Sequence, residues 1–303
     1  MFGAYCRAPG GLHGEDIAAF SYHVRTGPMG LFSFSRSSKK YLDRQFQAIH
    51  QHVDFLHNDL FVLLRNYLKL DDGEAVELET RHPVAYESND HLHPLGTVKD
   101  NTRCPKFFWK CEGMFPERER LRFLDMGCSS GGLVLDAILR GHFAIGLEGS
   151  DASLKEQRAQ WRILSDRLFT CDITKEFFIR DRATRELKKF DVISMWDVLE
   201  HIAESDLPQL LNNIRTHLAD GGIFVGSVSF SPSVHDGVEL HVTRHEREWW
   251  EKTFADHGFE ILPPFEPQFM PRGGFNPSHC YLPPIGLDPE HFGIAVRKRI
   301  HES

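Results

Sequence analysis

The stretch Phe123-Leu-Asp-Met-Gly-Cys-Ser-Ser-Gly-Gly-Leu-Val-Leu-Asp136 limits what this chain can fold into. It reads as a buried strand, a glycine-rich turn and the start of a helix. Leu121 to Met126 is apolar apart from Arg122 and Asp125. Gly127, Gly131 and Gly132 let the backbone turn tightly and approach a ligand. The N–H groups at the start of the following helix lack helical partners, so the turn can receive a carboxylate or a phosphate.

From Arg120 onward the same unit recurs. Expected strands are Leu121–Met126, Phe143–Leu147, Leu168–Cys171, Phe190–Trp196, Ile223–Phe230, Gly258–Leu262 and Phe292–Val296. Helices are expected after Gly131, through about Gln160, in the charged stretch before Phe190, over Leu207–Leu218 and over Glu246–His257. Strand–helix alternation on this scale implies an α/β fold, a doubly wound, mainly parallel seven-stranded sheet covered on both faces. Ligands of such sheets sit at the carboxyl ends of the strands.

Ahead of this domain lies an expected N-terminal extension, residues 1–95, with the domain itself spanning 96–303. Residues 1 to about 36 look irregular, with a short helical candidate near Glu15–His23. Ser37 and Ser38 can cap a long helix over about 38–71. Leu42, Phe46, Ile49, Val53, Leu56, Leu60, Leu63 and Tyr67 recur on it at alternating steps of four and three. That single apolar stripe packs on the main domain or offers a homodimer seam through the 42–67 helix. A polar loop follows, dense in Asp, Asn, His and Thr between Glu87 and Arg103, and Phe107-Phe-Trp109 anchors it.

The net charge of −8 argues against a nucleic-acid partner. No apolar run is long enough for a membrane span, and the N-terminus lacks the basic-then-apolar pattern of a signal peptide. The six cysteines are scattered without a C-x-x-C pair, which fits free thiols and a cytoplasmic setting.

Acidic residues fall at the expected strand ends. Asp125 closes the first, Glu148 the second, Asp172 the third and Asp197, beside Trp196, the fourth. A carboxylate at the end of the second strand, about 20 residues past the glycine turn, can accept hydrogen bonds from both ribose hydroxyls. Asp172 can meet an adenine amino group. One nucleoside-shaped ligand accounts for the first three acids together.

With these residues in place the stretch resembles the class I S-adenosylmethionine-dependent methyltransferases, particularly small-molecule and sugar types. Their turn reads acid-x-Gly-x-Gly-x-Gly, and this chain has Asp125-x-Gly127-x-Ser129-x-Gly131. A nicotinamide-type G-x-G-x-x-G fits less well. Asp197-Val-Leu-Glu-His201 is similar to their segment after strand four, and His241 with Glu248-Trp-Trp250 and Gly258-Phe259 to the segment after strand five. The resemblance covers roughly residues 95 to 298. It implies a Rossmann-like methyltransferase fold and S-adenosyl-L-methionine as cofactor. By it, Asp125, Gly127, Cys128, Ser129 and Gly131 hold the methionine portion and Glu148 the ribose. Asp172 and Ile173 border the adenine, and Trp196 and Asp197 line the floor near the sulfonium.

The cofactor brings the reactive carbon, so the protein positions the acceptor and removes its proton. Histidine suits that task near neutral pH. His241 is the first candidate base and His201 the second; His245 reads as a surface or capping residue. His235, Asp236, His241 and His245 match no tight ligand spacing, so no metal site is expected. Asp90, Asp100 and Asn101 are placed over the cofactor's amino-acid end or the substrate. The insertion at about 263–290 is rich in proline, phenylalanine and glycine. It is expected to wall the acceptor pocket through Arg272, Asn276 and His279. The expected function is O-methylation of a small polar acceptor such as a sugar or glycan. The alternatives are N-methylation of an amine or a protein side chain, and a non-catalytic cofactor-binding interaction module.

Overall fold

The computed structural model describes residues 74–272 and 290–299, together with the helical positions Gln45, Ile49, Val53, Leu56 and Leu60. The chain divides into two compact units, Met1–Gln51 and His52–Ser303. The candidate helix near Glu15–His23 and most of the 38–71 helix lie outside the described residues. At the stripe positions that are described, Ile49, Val53, Leu56 and Leu60 are 57%, 44%, 65% and 54% exposed.

The second unit opens with β1 (Val76–Thr80), α1 (Asn89–Leu92), α2 (Leu95–Lys99) and α3 (Pro105–Met114). The alternating region follows: β2 (Arg122–Met126), α4 (Gly132–Leu139), β3 (Phe143–Glu148), α5 (Ala152–Lys155), β4 (Leu168–Thr170), β5 (Phe177–Asp181) and β6 (Phe190–Trp196). It continues with α6 (Leu207–His217), β7 (Leu218–Ser229), the small β8 (Val234–His235) and β9 (Val238–Glu239), α7 (Arg247–Asp256), β10 (Phe259–Leu262) and β11 (His291–Lys298). Seven strands form one sheet in the order β10-β11-β7-β6-β2-β3-β4. β7, β6, β2, β3 and β4 run parallel, and β11 runs antiparallel to both of its neighbours. The strand order reverses beside β2, which places a crevice at its carboxyl end.

Successive strand residues point to opposite faces. On β2, Phe123 enters one apolar cluster with Phe107, Phe108, Val134 and Trp161, while Leu124 and Met126 enter another with Ile145, Ile193, Leu210 and Phe254. On β6, Val192 and Trp196 join the first, and Ile193 and Met195 the second. Both faces are therefore covered, as near-continuous apolar strands require.

Two expectations give way here. The charged stretch before Phe190 holds a strand, not a helix. Phe177 and Ile179 are buried while Phe178 and Arg180 are half-exposed, a period of two, and β5 pairs antiparallel with β1. That pairing joins Val76–Thr80 to β5 in a two-stranded sheet within the second unit. The helix expected through Gln160 is shorter: α5 ends at Lys155, and a 3-10 turn covers Ala159–Arg162.

His217, at the end of α6, joins this core to β5. Its Nδ1 lies 2.9 Å from the Asn213 carbonyl, its Nε2 accepts the Ile179 N–H at 3.1 Å, and its ring stacks on Phe177. Burial pushes its pKa from 6.5 down to about 4. The folded protein therefore keeps this imidazole neutral where the unfolded chain protonates it. The stabilisation is complete above pH 6.5 and is lost as pH falls from 6.5 toward 4. Urea unfolding should show a loss of about 2 kcal/mol between pH 7 and pH 5 from this group. The loss should be absent in His217→Gln; an equal loss in that variant would contradict the assignment.

Candidate active site

A cleft of about 560 Å³ opens at the carboxyl ends of β2, β3 and β6. Its walls come from the polar segment around α1 and α2, the glycine turn, the loops after β3 and β6, and the segment after β7. The glycine turn forms part of the wall. Gly127 has φ +83° and Gly131 φ +86°, the left-handed region that favours glycine. A Cβ on Gly127 would meet Val198 Cγ2 at 2.4 Å, and one on Gly131 would meet Leu168 Cδ1 at 2.7 Å. Gly127 lines the cleft, whereas Gly131 shapes the turn from outside it.

Ser129, which replaces the middle glycine, has φ +50° and a structural task of its own. Its N–H donates to Glu148 Oε2 at 2.8 Å. Its hydroxyl lies 3.2, 3.0 and 2.9 Å from the carbonyls of Gly96, Thr97 and Asp100. Glu148 Oε1 accepts from the Thr97 hydroxyl at 3.0 Å and from the Ser150 N–H at 3.1 Å. Burial raises the Glu148 pKa, and these donors oppose it. The carboxylate thus lines the cleft at the expected ribose position while joining the turn to α2.

Asp125 sits beneath the turn. Burial pushes its carboxyl up to about 7, against a 2.7 Å hydrogen bond from Ser194 Oγ. With Cys128, Asp100 and Arg272 it lines a smaller recess beside the main cleft. Asp172 Oδ1 accepts from the N–H and hydroxyl of Thr174, a turn that holds Asp172 and Ile173 against the cleft. Trp196 is buried, and its Nε1 has no hydrogen-bond partner among the described residues. Asp197 has φ +52°, a strained conformation stabilised by Ser227, whose hydroxyl both accepts the Asp197 N–H and donates to its carboxylate. Arg272 links this floor to the polar loop, 2.6 Å from Asp100 and 3.6 Å from Asp197.

His201 and His241, which also line the cleft, meet edge to face, with ring centroids 4.7 Å apart. His201 Nδ1 lies 2.9 Å from Asp90 Oδ2. Burial lowers the His201 pKa, but Asp90, Glu200 and Asp197 outweigh it and the net shift is upward. His241 Nδ1 lies 2.7 Å from the Ser231 carbonyl, which makes it the donor and Nε2 the basic nitrogen. Burial and the neighbouring His201 lower the His241 pKa. Glu200 is fully buried beside them; burial first, then Asp197, raises its pKa.

The structure therefore gathers Gly127, Ser129, Glu148, Asp172, Ile173, Trp196 and Asp197 with Asp90, Asp100, Arg272, His201 and His241 around one cleft. Asn101 is a correction. It packs against Gly132 at the start of α4, where a Cβ would fall 2.9 Å from its Oδ1, and it does not line the cleft. His245 pairs with Glu204 and stacks on Trp249, away from the cleft, as a surface residue. Asn276 and His279 lie outside the described residues. Sequence reasoning missed Glu200 and Thr97. Glu200 stood inside the quoted Asp197–His201 segment, next to a candidate base. Thr97 carried no signal that separates it from other loop threonines.

Among the described residues no helix is long and apolar enough to cross a membrane. No curated protein matches the chain. Among solved structures, similarity extends to an S-adenosylmethionine-dependent methyltransferase from Clostridium acetobutylicum ATCC 824, at 16% identity and TM-score 0.48, covering 70% of this chain and 98% of that one. A TehB-like SAM-dependent methyltransferase from Corynebacterium glutamicum ATCC 13032 Kitasato is 16% identical with TM-score 0.44, covering 71% and 98%. The glycopeptide N-methyltransferase MtfA is 13% identical with TM-score 0.44, covering 65% and 91%. The family model described as a methyltransferase domain matches residues 102–269, more than half of the chain and the whole stretch from the glycine turn past both histidines. The chain belongs to the methyltransferase-domain family and is an S-adenosylmethionine-dependent methyltransferase.

Proposed function

We propose that this enzyme methylates a hydroxyl of a small polar acceptor, of the sugar or glycan type. The observation that carries this reading is what shares the cleft. Glu148 and Asp172, carboxylates suited to a nucleoside, line it together with a half-buried histidine pair. A neutral amine needs little help to lose a proton after attack, whereas a hydroxyl is a poor nucleophile until its proton leaves. A site that concentrates His201, His241 and Glu200 near the acceptor suits the harder task. The polar residues Asp90, Ser88, Glu87 and Lys175 on the adjoining walls suit a hydroxyl-rich molecule.

S-adenosylmethionine supplies an electrophilic methyl group on a positively charged sulfur. In this reading Glu148 accepts the ribose hydroxyls, and Asp172 with Ile173 borders the adenine. Asp100 and Arg272 offer opposite charges to the ammonium and carboxylate of the methionine part. Trp196 and Asp197 form the floor near the sulfonium, and Asp197 favours its charge. The His201–His241 pair serves to remove the acceptor proton. A cytoplasmic setting and a homodimer through the 42–67 helix belong to the same reading.

Two measurements test it. Glu148→Ala should weaken cofactor binding in isothermal titration by roughly 10-fold or more, about 1.4 kcal/mol, since both the ribose contact and the tie to Ser129 are lost. Unchanged affinity would remove Glu148 from the cofactor site. His241→Ala should lower kcat on a hydroxyl acceptor by roughly 100-fold while leaving cofactor affinity within about twofold. A rate indifferent to both His201 and His241, with turnover on amines, would favour N-methylation instead.

A further inference from the structure

We propose that Glu200, His201 and His241 form a site for a divalent first-row transition ion, such as Mn²⁺, Co²⁺ or Zn²⁺, in the cleft. One carboxylate oxygen and one nitrogen of each imidazole lie within 4.8 Å of one another. Donors on one tetrahedral ion at 2.0–2.2 Å stand about 3.3–3.6 Å apart, so closing each separation by at most about 1.5 Å completes the set.

Three further features point to an ion. Glu200 is fully buried, and its Oε2 has no hydrogen-bond partner among the described residues, while Oε1 accepts the Ser229 N–H at 2.9 Å. An unpartnered carboxylate oxygen in a dry site is costly unless something positive meets it. His241 also has its Nδ1 hydrogen-bonded at 2.7 Å to the Ser231 carbonyl, the arrangement that metal-binding imidazoles show, because an acceptor on one nitrogen orients the ring and leaves the other as the ligand. The Asp90 carboxylate, 2.9 Å from His201 Nδ1 without an aligned hydrogen bond, adds negative charge beside the second ring. Finally, Glu200 and His201 are adjacent on the 3-10 turn Leu199–His201, and the Thr243 N–H donates to the Glu200 carbonyl at 3.0 Å. The turn and the His241 segment are thereby held together by backbone.

Two imidazoles and one carboxylate suit Mn²⁺, Fe²⁺, Co²⁺ or Zn²⁺ better than Mg²⁺ or Ca²⁺, which favour oxygen-only sets, and three protein ligands leave positions open. The ion's role rests on the hydroxyl-acceptor reading above. An acceptor hydroxyl bound to the ion loses its proton to solvent near neutral pH. The oxygen then attacks the methyl carbon. The O–C bond forms as the C–S bond breaks, its electron pair passes to sulfur, and a neutral thioether leaves. In that step His201 and His241 act through the ion they hold, which carries the proton-removing role assigned above to this histidine pair.

The test uses the full-length, cofactor-free protein and Co²⁺ alone, followed by isothermal titration and by visible absorption of the Co²⁺ d–d bands. The expected result is one ion per chain, with affinity reduced at least 10-fold in His241→Ala and in Glu200→Gln. Asp90→Asn leaves all three ligands in place and should weaken binding roughly 10-fold. His235→Ala, in the separate His93–His235–Asp236 group, should bind as wild type does. Absence of binding, or undiminished binding in His241→Ala, overturns the site. Turnover of hydroxyl acceptors by chelated protein that binds no Co²⁺ overturns the ion but leaves O-methylation standing. Co²⁺ bound through these residues in an enzyme that turns over amines alone supports the site and removes the hydroxyl reading.

Discussion

The buried Glu148 carboxylate is the tie on which the arrangement of the cleft depends. It ends β3 and takes one N–H from the glycine turn, one from its own loop and a hydroxyl from α2. A carboxylate that deep in protein is costly unless donors converge on it. Satisfying it therefore fixes three otherwise separate segments relative to one another. Ser129 completes the tie, because its N–H serves Glu148 while its hydroxyl sits against the carbonyls of α2. A glycine at this position would preserve the turn but lose the second half of the link.

The loop after β6 rests on a different device. The residues after β6 leave the sheet through Asp197 in a left-handed conformation, held by Ser227 on the neighbouring β7. This sharp exit places Val198 against Gly127, where no larger residue would fit, and presents Glu200 and His201 one turn later. The segment after β7 returns across them and supplies His241. Reactive side chains of the cleft are thus carried by loops whose origins are set by adjacent parallel strands, the usual relation between rigid scaffold and functional loop.

Much of this was legible before any coordinates. Strand ends were visible because apolar runs stop at Asp125, Glu148, Asp172 and Asp197. Glu148, Asp172 and Asp197, acids of the cleft lining, could therefore be named from the sequence, since each belongs to a local strand–loop unit. The stretch 177–181 was misread because it is short and charged at its end, and its period of two emerges only once β1 lies beside it. Asn101 was misplaced for a similar reason: a polar residue in a polar loop gives no sign of which neighbour it will meet. The histidines stand out as candidates in the sequence, but not their orientation, which for His241 depends on the Ser231 carbonyl.

The sequence by itself determined the parallel sheet and the glycine turn, while the class of cofactor came from its resemblance to the methyltransferases. Sheet and turn follow from hydrophobic period and from the need of a tight turn for small residues, both local properties of the chain. Tertiary structure alone decided that Ser129 joins α2 to the turn, that Glu200 is buried with a carboxylate oxygen left over, and that His201 and His241 meet in the cleft. Those depend on which loops meet above the sheet, and packing between segments distant in the chain sets that.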